Sequence, residues 1–420
     1  MKVSGCLMTS FIVLIVVFIS EFFCCNQASA TPESRATMLF LLISPSARVN
    51  GMGQAGVALT DETGGYYNPA APALVSKSNY VGITSYLDKM KWLPALADDI
   101  TYSYSAAQIG FNKKVNKFGF NSGDVSIPLS ISGAFAYYRT KLDLGEQHRT
   151  TAYSPDVIAT FHSYEKADNF VLSAAAHSIF DIGVGLTIKK LTSKLGVLPK
   201  GKGIATGTAY DFGILARFPI VDFVKNYSGS KVIFSDYLSP VLDISTGISW
   251  NNRGDEVYYI DPSKSDPLPA NRKSGVAGCA GISYDGMLKF DFFKVTGSYE
   301  RYIPQISGIH IEKNASDNKK GIEYSLFEIF QIRNGQYDDN DGYVHLKTRG
   351  YTIKSDGIFK LLTLILYHDF SPKINYEKSM LKFLSEHFSI SWTEFEYESY
   401  KEWNPVDDIN HGQLTVMFNI

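Results

Sequence analysis

Few stretches of this sequence have the residue types and spacing that chemistry uses. Gly51-Met52-Gly53-Gln54-Ala55-Gly56 matches G-x-G-x-x-G, the spacing that lets a backbone wrap a pyrophosphate. Such a loop needs a strand before it, a helix after it and an acidic residue about 20 positions on. Here Ser44-Pro45-Ser46 interrupts the approach, and Gly64-Gly65 and Asn68-Pro69 break the continuation. Ser76, Lys77 and Ser78 stand where the acid is needed. The glycines are read instead as places where backbone packs tightly inside a pore. The acidic run Tyr337 to Gly342 resembles a calcium loop only superficially. With Gly342 as the invariant glycine, Tyr337 and Thr348 fall where carboxylates are required, so the run reads as a solvated loop. The histidines (His148, His162, His177, His310, His345, His368, His387 and His411) are scattered, with no H-E-x-x-H, and no G-x-S-x-G elbow occurs. The chain is therefore read as not an enzyme, with no catalytic residue, no cofactor and no metal site expected.

The elements around these residues carry more information. Hydrophobic and polar residues alternate along nearly the whole length, and alternate side chains of a strand face opposite sides. Phe180, Ile182, Val184, Leu186 and Ile188 oppose Asp181, Gly183, Gly185, Thr187 and Lys189. Leu242, Ile244, Ile248 and Trp250 oppose Asp243, Ser245, Gly247 and Ser249. Segments of this kind are read at 79–86, 101–111, 127–139, 157–162, 170–176, 180–190, 206–218, 241–250, 276–285, 291–302, 321–332, 343–367, 386–395 and 412–420. Alternating segments of roughly ten residues between turn-forming loops mark a transmembrane antiparallel β-barrel. A soluble sandwich would alternate too, but about fourteen strands without a second domain boundary exceed what one sandwich needs. The last segment alternates to Phe418 and Ile420, as a closing strand would.

Residues 1–30 are read as a secretory signal: Lys2, then the apolar run Phe11 to Ile19, then Ala28-Ser29-Ala30 as a small-x-small cleavage site. No later stretch approaches the ~18 apolar residues of a spanning helix, so a membrane location requires a closed barrel. Residues 31–78, rich in Gly and Ala, are read as an inward-folded plug or hatch, and 79–420 as the barrel. Aromatic residues make up 14% of the chain and charged residues 20%, below the usual ~25%, which suits a wall with aromatic girdles. A formal charge of −2 with no basic domain argues against nucleic acid as a partner. Cys6, Cys24 and Cys25 precede the cleavage site, so Cys279 alone remains and no intrachain disulfide is expected.

The run from Phe40 through Ala47-Arg48-Val49-Asn50-Gly51-Met52-Gly53-Gln54-Ala55-Gly56-Val57-Ala58-Leu59-Thr60-Asp61, followed by Tyr66-Tyr67-Asn68-Pro69-Ala70, resembles the opening of the PorV/PorQ family of outer-membrane proteins, relatives of the FadL fatty-acid transporters. Thr208-Ala209-Tyr210-Asp211-Phe212-Gly213, Gly247 to Gly254, Pro267-Leu268-Pro269, Gly321-Ile322-Glu323-Tyr324 and Ile332-Arg333-Asn334-Gly335 resemble later motifs of that family, in order. The resemblance implies a barrel of about 14 strands with Arg48, Gly51, Gly53, Gly56, Asp61, Tyr67, Asn68 and Pro69 in the hatch. It implies a PorV-like accessory protein of type IX secretion in the outer membrane of a Gram-negative bacterium, handling exported substrates. The alternative it implies is a FadL-like channel for hydrophobic molecules such as fatty acids. The partners to expect are outer-membrane lipids, a giant translocon barrel with secreted substrate domains, or a hydrophobic ligand in the lumen.

Overall fold

The computed structural model describes residues 36–60, 65–76, 78–115, 129–196, 203–228, 232–235, 237–286, 288–306, 317–339, 344–369, 375–400 and 406–420. Period-two alternation builds a single antiparallel sheet from β1 (Tyr80–Tyr86), β2 (Met90–Lys91), β3 (Thr101–Val115), β4 (Leu129–Thr151), β5 (Ser154–His177), β6 (Asp181–Lys194), β7 (Ile204–Pro219), β8 (Leu238–Gly254), β9 (Asn271–Asp285), β10 (Lys289–Pro304), β11 (Asp317–Leu326), β12 (Phe330–Asp339), β13 (Val344–Lys354), β14 (Phe388–Ser399) and β15 (Asn410–Asn419). From β2 onward each strand pairs with the next, and β1 pairs with both β3 and β15. The two-residue β2 pairs with the start of β3 and continues the line of β1 along it. The other strands close a 14-stranded antiparallel barrel, as the sequence led one to expect, and closure leaves no unpaired edge.

The two faces of the wall differ as the alternation requires. On β6 Ile182, Val184, Leu186 and Ile188 are exposed, while Asp181, Gly183, Gly185, Thr187 and Lys189 point into the lumen and are buried. Other strands continue the outer band with Leu172, Phe212, Ile332 and Tyr351, and Leu172 is 66% exposed to anything outside the barrel. Burying a Leu or Phe side chain is worth about 1.5–3 kcal/mol, so an exterior of this kind is stable against hydrocarbon and not against water. The barrel is one that spans a membrane.

Two features of the wall depart from the sequence reading. The stretch 343–367 is not one or two strands: β13 ends at Lys354 and Ser355–Asp369 is an α-helix. Ile358, Leu362 and Ile365 recur at helical spacing there, and the consecutive apolar run from Leu361 to Leu366, broken only by Thr363, has no period of two. The segments 157–162 and 170–176 are one strand, β5, because Ser163, Glu165, Ala167 and Asn169 continue the inward phase between them. Residues 1–30, Asp61 and Gly342 lie outside the described residues.

Candidate functional site in the lumen

The segment before β1 runs through the barrel from one end to the other. At one end Thr37 N–H donates to Pro267 O (3.0 Å) in the β8–β9 connection. At the other Asn112 on β3 donates to Ser76 O (2.8 Å), just before β1 begins. Between them lie a short 3₁₀ turn (Leu39–Leu42), α1 (Ala47–Asn50) and α2 (Ala71–Val75). None exceeds five residues, because the glycines and prolines seen in the sequence break every longer run. Small residues let this backbone lie against the wall.

The inner wall makes room where it lacks a Cβ. A Cβ at Gly335 would overlap the backbone of Met52 and Gly53, and one at Gly321 would overlap Met52. Side chains at Gly213 and Gly185 would strike Asn68 and Pro69, and one at Gly247 would strike Val57 O. Gly53 itself has φ +64°, a left-handed conformation that favours glycine, with Gln336 O and Lys320 O 2.5 Å from where a Cβ would stand.

Charged groups fix the middle of the segment. Arg48 grips Glu323 of β11 with two bonds, Nε to Oε2 and Nη2 to Oε1, both 2.9 Å, and its Nη1 donates to Thr60 O. Glu323 also accepts from Arg333 of β12 (2.6 Å), its cross-strand neighbour, and Arg333 donates on to Thr352. Arg333 is fully buried and Glu323 nearly so. One carboxylate thus joins the segment to two wall strands through bidentate geometry. Beside it, Glu300 Oε2 accepts the N–H groups of Gly56 (2.9 Å) and Val57 (2.8 Å). Thr348 accepts from Gly53 N, Gln413 from Ala47 N, and Asn68 donates to Val57 O and Ile214 O. Ser249 donates to Tyr67 O, and the Tyr67 and Ser44 hydroxyls bond each other.

On the opposite inner wall the partners are aromatic. Tyr86, Tyr102, Tyr104 and Tyr138, from β1, β3 and β4, form a chain of ring contacts at 5.8–6.4 Å that reaches Tyr66. They bury Phe40, Leu41 and Ile43 of the segment. Tyr102 donates to Ile43 O (3.1 Å) and Tyr66 to Leu41 O (3.0 Å). Burial, reinforced by Asp211 and Glu300, holds the Tyr66 hydroxyl protonated far beyond its ordinary range, so it stays a donor.

The segment leaves a cavity toward each end. The one beside the β8–β9 connection, about 170 Å³, is lined by Leu41, Tyr66, Tyr67, Lys189, Lys273 and Lys319 among others, and by the carboxylates Asp317 and Asp339. Lys189 pairs with Asp211 (2.8 Å). Lys273 instead lies over the Tyr66 and Tyr67 rings at 5.0 and 5.2 Å, and Lys319 over Tyr302 and Tyr337 at 5.2 and 4.6 Å. The second cavity, about 130 Å³, is bounded by Arg48, Leu59, Arg217 and Lys294, and the Cys279 side chain lines it. The turn 48–60 stands between the two.

The residues singled out in the sequence therefore converge. Arg48, Gly51, Gly53, Gly56, Tyr67, Asn68 and Pro69 all contact one another or the wall within the lumen. Glu300, Lys273 and Lys319 were not singled out. Their only sequence signal is a charge on the inward phase of an alternating strand.

The chain matches no protein-family model and no curated protein. Among solved structures it is similar to the Pseudomonas putida toluene transporter TodX (9% identity, 94% of this chain and 98% of that one, TM-score 0.39). It is also similar to the transport unit of the autotransporter AIDA-I from Escherichia coli (9% identity, 82% and 90%, TM-score 0.35) and to the monoaromatic hydrocarbon channel CymD (11% identity, 88% and 95%, TM-score 0.29). Likenesses this distant add nothing to what the barrel geometry establishes.

Proposed function

We propose that this protein is an outer-membrane channel for small amphipathic molecules with an anionic head, held closed by residues 36–76. The observation that supports this most is the division of the lumen: the turn 48–60 separates two cavities, and one of them sets two lysine ammonium groups over tyrosine rings. A carboxylate or similar head suits the ammonium groups, and an alkyl or aryl tail suits Leu41 and the rings. Fatty acids are the simplest molecules of this kind. The direct test is titration of the purified protein with dodecanoic acid and with dodecanol. Saturable binding of the acid, weaker binding of the alcohol and loss of that difference in Lys273→Met/Lys319→Met are expected. Equal binding of both, or of neither, would overturn the reading. Absence of binding together with co-purification of a much larger barrel from native membranes would favour the type IX accessory role that the motif order suggests.

A further inference from the structure

Among the described residues the barrel has two helical connections, and both lie at the same end, where β1 begins and β15 finishes. α3 (Ile220–Ser228) joins β7 to β8, and α4 (Ser355–Asp369) with α5 (Asn375–His387) joins β13 to β14. Neither connection is absorbed by the lumen site.

Each packs aromatic rings on the outside of the wall. In α3, Phe223 packs its ring 5.2 Å from Phe218, a residue on the outer phase of β7. In α5, Phe383 and His387 pack at 6.4 and 6.2 Å on Phe418, on the outer phase of β15. The helical hairpin is seated firmly: Lys360 bonds Glu328 in the β11–β12 turn (2.6 Å), Ser355 accepts from Ile390 N (2.9 Å) and His387 contacts Asn419 O (2.7 Å). Besides Lys382 and Glu386, its described residues leave apolar side chains uncovered. Ile358, Leu362 and Ile365, spaced i, i+4 and i+7, share one face of α4, and Ile365 is 51% exposed. Met380 and Phe383, spaced i and i+3 on α5, are 64% and 49% exposed. On the other connection Val224, Ile233, Phe234 and Tyr237 are exposed as well.

We infer that these connections are an interfacial collar, lying in the headgroup–acyl boundary of the leaflet at that end of the barrel, with Ile358, Leu362, Ile365 and Met380 inserted among acyl chains. The inference rests on the reading of the wall as lipid-facing. Two observations select lipid over a protein partner. Phe223 of α3 and Phe383 of α5 pack on Phe218 and Phe418, so each connection touches the outer apolar band. In the closed strand order the two connections stand six strands apart out of fourteen, nearly opposite each other. A partner protein or a second copy would meet one side; a bilayer meets both at the same height. Amphipathic helices bind in this way by burying one apolar face at the boundary.

Site-specific quenching tests this. In a background with Cys6, Cys24, Cys25 and Cys279 each replaced by Ser, single cysteines replace Leu362, Ile365, Met380 and, as a wall control, Val184. Each carries a small fluorophore, with the full chain reconstituted in phosphatidylethanolamine–phosphatidylglycerol vesicles and folding checked by heat-modifiable migration on gels. Labels at 362, 365 and 380 are expected to lose most of their emission to lipids carrying a nitroxide high on the acyl chain and little to aqueous iodide, while 184 responds most to a deep nitroxide. Iodide quenching at 362, 365 and 380 with lipid quenching at 184 would overturn the collar and leave the barrel standing. Lipid quenching at none of the four would overturn the barrel reading itself. Protection from both quenchers that grows with protein-to-lipid ratio would assign the patch to a second copy instead, and the collar would be wrong.

Discussion

The two inner walls of this barrel hold the same segment by different physics. Along β1, β3 and β4 tyrosine rings enclose Phe40, Leu41 and Ile43. Along β10–β12, Glu323 grips Arg48 and Glu300 grips Gly56 and Val57, with Arg333 bracing Glu323. Apolar contact is non-directional and tolerates small displacements. A buried carboxylate shared by two guanidiniums tolerates none, because moving either partner leaves a desolvated charge unpaired. The aromatic side therefore supplies adhesion and the ionic side supplies position. Under the proposed channel function, a segment held this way should open by losing its ionic contacts first, with the aromatic side acting as the hinge.

That contrast can be broken at chosen residues. Glu323→Leu removes the carboxylate both arginines share and is expected to cost about 3–5 kcal/mol, read as a lower urea midpoint of the refolded barrel together with new ionic conductance. Val184→Arg changes only the outer wall. It is expected to cost about 2–4 kcal/mol if residue 184 lies near the bilayer midplane, and to leave conductance at the wild-type level. Tyr102→Phe removes one hydrogen bond to Ile43 O and keeps the ring. It should cost about 0.5–1.5 kcal/mol and leave the lumen closed. Conductance from Tyr102→Phe but not from Glu323→Leu would reverse the assignment of the two walls.

The wall was legible in the sequence because period two is written into every strand. Val184 and Gly185 could be assigned to opposite faces from their neighbours alone, and the structure places them so. The glycines of 51–56 could be read as close-packing sites because no strand–helix frame supported a phosphate loop. What they pack against was not legible. The partners, Gly321 and Gly335, lie more than 260 residues away in sequence. The ionic cluster was hidden for the same reason. Glu323 and Arg333 stood in quoted motifs, but only barrel closure brings Arg48 to them. The helix at 355–369 was missed because a continuous apolar run fits a buried strand and a helix equally until its length and period are weighed.

On the proposed reading, residues 36–76 close the lumen by packing on wall glycines. That closure is tested most directly by single-channel recording in planar bilayers of the wild type, Gly335→Val and Gly213→Val. These changes face the lumen and leave the exterior untouched, yet their side chains collide with Met52–Gly53 and Asn68–Pro69 respectively. The expected result is a wild type without sustained current and two variants, folded by the same gel criterion, that conduct steadily. Correctly folded variants as silent as the wild type would contradict the account.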